Sequence, residues 1–254
     1  MIASLAARIC AQRAISGATL AGGRVHDSEI RPIDEALRDE PQPFIVLATE
    51  DENATITGLD VTGGDRRLDL YVEIGVGSMV RIEQDDVEAV TIPHTDAGLE
   101  LSINLISRQV IAALFVGGGA WGDLFRTIVP EVQRIYTRRG AGSENGVRFA
   151  ARQIVIECKP IFEPTFGIEP DAGTPWARFI ALMQADAELS PIAEAVHAAL
   201  VGSPIPDWRA IGTMIGLSEA AQRGIGIGPL SDEPEEPAQL EEVEFGGGFS
   251  ITQE

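Results

Sequence analysis

The chain reads as an α+β fold. A mixed or antiparallel sheet is covered by an N-terminal helix and one long central helix, and a small helical C-terminal part and a disordered acidic tail follow. Three observations predict this. Leu68, Leu70, Val72, Ile74 and Val76 occupy every second position, with Asp69, Tyr71, Glu73 and Gly75 between them. A period of two puts the aliphatic set on one face of a strand. Leu99, Ile103, Ile106, Val110 and Leu114 recur at helical spacing, a stripe long enough to cover that face. Residues 132–138 and 147–158 flank a segment ending in Asn145-Gly146, a dipeptide that favours tight hairpin turns because it tolerates positive φ.

The elements follow in order. Ile2, Leu5, Ala6 and Ile9 predict an amphipathic helix from 2 to about 15, with Arg8, Gln12 and Arg13 outside and Gly17 and Gly22-Gly23 as the stop. Val25 opens a short extended piece reaching Asp27-Ser28. Pro32 and Pro41 bracket an acidic connection. Phe44 to Ala48 is a continuous apolar run, the pattern of a strand covered on both faces. Glu50-Asp51-Glu52-Asn53 is expected to turn the chain, and 50–66 to form a hairpin tip or mobile loop.

Beyond the alternating strand lies an acidic loop. Thr95 or Asp96 then caps the long helix, which Gly117-Gly118-Gly119 ends. Residues 121–125 add a short apolar turn or helix. In 147–158 the inward phase starts on Val147 and Phe149 and resumes on Ile154, Ile156 and Cys158. A β-bulge at Ala150-Ala151 would reconcile the two phases.

After Pro160 three short helices are expected. Thr174-Pro175 opens one with Trp176, Phe179, Ile180 and Met183, and Ser190-Pro191 opens one with Ile192, Val196, Ala199 and Leu200. Asp207 caps a third with Trp208, Ile211 and Ile215. Proline suits a first helical position, where no N–H needs a partner. The organisation is therefore 1–160 as an α+β domain, 161–223 as a helical extension and 224–254 as a flexible acidic tail.

Charge excludes one function class. The net charge is −20, and past Arg223 eight acids stand with no basic residue. Such a chain repels phosphates, so sequence-specific nucleic-acid binding is not expected. Arg8 and Arg13 interrupt the N-terminal apolar positions, so no signal peptide is expected, and no run is expected to be long and apolar enough for a bilayer. Cys10 and Cys158 read as buried free thiols of a reducing compartment, so the chain is expected to be made and kept in the cytoplasm, or in particles assembled there.

Candidate chemistry is sparse. Gly224, Gly226 and Gly228 have Pro229 behind them where a nucleotide-binding helix would open, so they read as linker. Gly75-Val76-Gly77-Ser78 reads as a strand end. His26, His94 and His197 lie far apart, and Asp85, Asp86 and Glu88 lack the spacing of a calcium loop. No catalytic, cofactor-binding or metal-ligating residue is expected, and no cofactor. Arg138 and Arg139, placed in the hairpin loop, could clamp an anion, meet the carboxylates of a neighbouring subunit or simply be solvated; the acidity of the chain favours the subunit contact. Phe245 to Ile251 is either a docking motif or disorder.

The order of these elements carries a resemblance. Ile2 to Ile15, Arg24-Val25-His26-Asp27-Ser28, Pro43-Phe44-Ile45-Val46, the 68–76 strand, the 97–114 helix, Arg138-Arg139-Gly140-Ala141-Gly142 and Gly146-Val147-Arg148-Phe149-Ala150 are its parts. Over roughly 1–160 the chain resembles the tail terminator (tail-completion) proteins of long-tailed bacteriophages and gene-transfer particles. The resemblance implies a structural virion protein rather than an enzyme, forming a homo-oligomeric ring, usually a hexamer. Such a ring caps the tail tube, stops its polymerisation and joins it to the head–tail connector, after assembly in the host cytoplasm. Glu50, Asp51 and Glu52 become candidates for an acidic loop facing the ring's channel, and Arg138 and Arg139 for the subunit interface. A head–tail adaptor or other minor tail protein is the competing reading, and an α/β enzyme the third.

Overall fold

In the computed structural model, residues 1–28, 42–79, 96–144, 147–201, 216–225, 243–245 and 249–251 are described. Strands β1 (Val25–Asp27), β2 (Phe44–Thr55), β3 (Asp65–Met79), β4 (Glu131–Glu144) and β5 (Val147–Lys159) form one sheet in the order β1-β2-β3-β5-β4. β1 runs parallel to β2 and every other pairing is antiparallel, so the sheet is mixed. The alternating strand is its middle. Leu68, Leu70, Val72, Ile74 and Val76 are all fully buried on one face.

Two helices cover that face, α1 (Ile2–Ile15) and α2 (Asp96–Phe115), and α3 (Gly119–Ile128) packs against both of them. α1 packs on β1, β2 and β3, while α2 lies on β3 and β5. Leu99, Ile103, Ile106, Val110 and Leu114 are buried as the stripe predicts, each such side chain contributing about 1.5–3 kcal/mol. One expectation is corrected: Ala97–Phe115 is 19 residues with mean hydropathy 1.2, enough by length and composition to cross a bilayer. Here its apolar stripe is spent on the sheet.

α1 is buried more completely than an amphipathic surface helix. Ala3, Ala6, Ala7, Ala11 and Ala14 are all buried, and α1 packs against α3. Gly118 marks the closeness: at φ 83° a Cβ there would lie 2.9 Å from the Ala14 Cβ. The polar residues expected outside are half-buried and tie α1 to its surroundings. Arg8 reaches Asp27, Gln12 Nε2 donates to the Val25 carbonyl at 2.8 Å, and Arg13 bridges Asp186 and Glu188.

Two local expectations are overturned. Glu50 to Asn53 does not turn the chain; β2 continues to Thr55, with one extra residue between the pairs Glu50–Asp69 and Asn53–Arg67. Asp51 absorbs this bulge at φ 49°, a left-handed conformation that Asp tolerates better than most residues. The reversal falls later, at 56–64, where Asp60 Oδ1 accepts from Thr62 N, Thr62 Oγ1 and Gly63 N. Nor is there a bulge at Ala150-Ala151. β5 runs in unbroken register from Val147 to Cys158 against β3, and the irregularity of the hairpin lies on β4 between Val132 and Arg134. The phase needs no slip because Arg152 occupies a helix-side position and is held there by Glu100 and Asn104 of α2.

Helices α4 (Pro175–Ala185) and α5 (Ser190–Val201) begin where the Pro signals place them, and Thr174 Oγ1 accepts from Ala177 N. Trp176, Phe179, Ile180, Met183, Ala193 and Leu200 join the same apolar core as the sheet. The chain divides into Met1–Pro204 and Ile205–Glu254, so both helices belong with the sheet and no boundary falls at 160. In the second unit, α6 (Glu219–Gly224) is followed by β6 (Val243–Phe245) and β7 (Phe249–Ile251). These two strands pair antiparallel within the segment expected to be a disordered tail. The expected Asp207 helix, His94, the 83–88 acids and the Asn145-Gly146 turn lie outside the described residues.

Gly75 gives a test of this packing. The Phe44 ring lies across it, and an added Cβ would sit 2.5 Å from Phe44 Cε1. Gly75→Ala is expected to cost about 1–3 kcal/mol by overpacking, read as a lower urea midpoint at unchanged slope.

Candidate functional site

The bulge divides the acidic triplet. Glu50 sits opposite Asp69 in the register, while Glu52 is drawn to the helix side. Its Oε2 accepts from Ser4 Oγ at 2.7 Å and lies 3.0 Å from the Met1 ammonium. Its Oε1 is 3.6 Å from Arg66 Nη1. Burial pushes the Glu52 carboxyl up, but the Ser4 hydrogen bond, the terminal ammonium and Arg66 together hold it below its ordinary value. Glu52 is therefore tied to α1 and lies within β2 rather than in a loop.

Arg66 was not anticipated by the sequence. It is fully buried, with Glu163 at 3.8 Å from the same Nη1 and the Val61 carbonyl accepting from Nη2. Glu163 in turn accepts from the backbone N–H groups of Ile2 and Ala3, at 3.1 and 3.2 Å. These are donors with no partner inside the helix, and a carboxylate there also meets the positive end of the helix dipole. One guanidinium thus joins the start of β3, the bulge and the start of α1.

The other face of the sheet carries a polar band. Glu50, Asp69, Tyr71, Glu73, Gln153, Glu157, Arg134, Tyr136 and Arg138 share it by register. Gln153 donates to Glu73 at 2.8 Å, and Arg134 pairs with Glu157. Burial, then the charges of Glu157 and Asp51, push the Asp69 carboxyl above its ordinary value, with Arg134 opposing. A raised value means a contribution to stability that is present below the ordinary value and lost as pH rises through the folded one. Ionised Asp69 is then a cost at neutral pH. Asp69→Asn is expected to raise the melting temperature at pH 7 and to give no gain well below the ordinary carboxyl range.

β4 closes one side of the sheet and has no further strand beside it among the described residues. Arg138 and Arg139 lie within this strand, not in a loop as expected. Arg138 stacks over Tyr136 at 5.5 Å and makes no ion pair among the described residues. Arg139 reaches Glu100 at 3.2 Å while remaining largely exposed, and Glu100 also binds Arg152 at 2.7 Å. α2 covers β3 and β5 but leaves Ile135 of β4 43% exposed. Beside it lies an open apolar groove of about 360 Å³ lined by Phe115, Arg126, Val129, Pro130, Val132 and Ile135. Arg126 caps α2 by donating to the carbonyls of Leu114 and Gly117, both at 2.9 Å.

The described histidines and cysteines have local surroundings that explain them. His197 meets Glu169 at 2.7 Å, and His26 packs edge-on to Phe44. Cys10 and Cys158 are free and buried; burial pushes the Cys158 thiol up to about 12. No group of three metal-ligating side chains occurs among the described residues. Among known proteins, no family model and no curated protein matches the chain.

Proposed function

We propose that this chain is a tail terminator, a structural virion protein that closes into a ring, caps the tail tube, stops its growth and joins it to the head connector. The observation that carries the reading is the β4 edge. It is 14 residues long, with Gln133, Arg134, Ile135, Thr137, Arg138 and Arg139 all exposed, so both of its faces meet solvent, and it carries three arginines in a chain of net charge −20. An edge of that length with no partner strand among the described residues is a template for another chain, and monomeric proteins ordinarily shorten or block such edges. A contact between two different surfaces of one chain either propagates or closes, and closure gives a ring.

Within this reading Glu50 and Asp51, on the sheet face away from the helices, are the acids left to line a channel. Glu52 is not among them. Negative charge there would keep a passing polyanion from adhering. The partners are further copies of this chain, the tail-tube protein and the head–tail connector. The test is tube growth. Added to polymerising tube subunits, the protein should sit at one end of each tube and shorten the length distribution. Attachment to heads with no effect on tubes would favour the adaptor reading, and turnover of a substrate would end both.

A further inference from the structure

We propose that the β4 edge and its apolar groove receive the C-terminal segment, residues 241–251, of a second copy of this chain. Three observations bear on it. The first is charge. Between 121 and 160 the chain has seven basic residues against four acidic ones, whereas from Gly224 onward it has eight acids and no base. The two regions attract each other although the whole chain is strongly anionic.

The second is sequence pattern. Glu241-Glu242-Val243-Glu244-Phe245 and Phe249-Ser250-Ile251 mix acids with large apolar residues, and 243–245 and 249–251 have extended backbone, paired as β6 and β7. An extended segment adds to a sheet edge through its main chain, with side-chain pockets giving specificity. The third is the groove itself, apolar at Phe115, Val129, Pro130, Val132 and Ile135 on the helix side of β4, with Arg134 and Arg138 on the opposite face of the same strand, where alternate residues of an added strand would project. Apolar residues of the segment fill the groove while its acids meet the arginines. Pairing β4 with β4 of a second copy would instead set arginines against arginines.

That the segment comes from a second copy rests on the ring reading. A tail folded onto its own edge would satisfy that edge and leave nothing to propagate, whereas a tail handed to a neighbour is a head-to-tail contact that can close.

The test uses three full-length forms: wild type, Ile135→Asp in the groove, and Phe245→Asp with Phe249→Asp in the tail. Circular dichroism and urea melts establish that the variants remain folded; Ile135 is exposed enough for that to be expected. Native mass spectrometry should give rings for the wild type, monomers for each variant alone, and a one-to-one dimer when the two variants are mixed. The mixture retains one intact groove and one intact tail. A synthetic 239–254 peptide should bind the tail variant and bind the Ile135→Asp form about tenfold or more weakly, with affinity falling as salt rises. Rings that persist in either variant overturn the inference and leave the ring reading standing. A monomeric wild type that still binds the peptide supports the groove assignment and overturns the ring reading. Variants that neither dimerise on mixing nor discriminate the peptide overturn the inference, including the case of a tail held by its own chain.

Discussion

Arg66→Met is expected to lower the free energy of unfolding by about 3–5 kcal/mol, the range for removing one partner of a buried ion cluster. The size follows from what is left behind. Glu163, whose side chain is only 7% exposed, and Glu52 would face each other without the guanidinium that separates them. Glu163 would keep its hydrogen bonds from Ile2 and Ala3, so α1 should stay formed while its junction with β3 loosens. Urea unfolding at pH 7 measures the loss. Adding Glu163→Gln to Arg66→Met should recover part of it by removing one unpaired charge, although Gln retains an acceptor for the α1 N–H groups. A loss below about 1 kcal/mol would show that water or a mobile counter-charge replaces Arg66, and that the cluster is not what fixes the helix.

The second large effect is on assembly. Ile135→Lys with Thr137→Lys places two charges on the helix-side face of β4, where both residues are exposed. Charged residues on an edge strand are the usual means of blocking intermolecular pairing. Stability should change by no more than about 0.5 kcal/mol, as for other surface positions, while self-association falls by orders of magnitude. Concentration-dependent light scattering separates the two. Unchanged association in a folded double variant would remove β4 from the interface. The Asp69→Asn and Gly75→Ala predictions act on stability alone and leave this edge untouched.

The parts of the fold legible in the sequence are those where burial imposes a period. Leu68 to Val76 and Leu99 to Leu114 must each present one face to the same core, and their spacing shows it. The Pro175 and Pro191 starts were legible because a missing N–H has a positional meaning. What failed depended on partners distant in sequence. Glu50-Asp51-Glu52-Asn53 has the composition of a turn, yet the strand runs through it because Ser4 and Arg66 draw Glu52 inward. Arg66 itself looks like one of two surface arginines beside Asp65; its burial is set by Glu163, far along the chain.

A bulge at Ala150-Ala151 follows only if every apolar residue of β5 faces inward. The register runs straight through, and the true irregularity is on β4, whose uncovered residues give no inward phase from which a shift could be read. Of the candidate residues, Arg138 and Arg139 stand out in the sequence as cations in an acidic chain, but their position on an edge strand emerges only from the pairing order. The groove beside them joins residues of α2, α3 and β4, and no local pattern announces it.

The most direct test of the proposed collar is the mass of the protein in solution. Native mass spectrometry of the purified wild type across a wide concentration range should find a closed assembly, six times 27.1 kDa for the proposed hexamer, with rings of matching size by electron microscopy. A single species of 27.1 kDa at every concentration, binding no tube end, would contradict it.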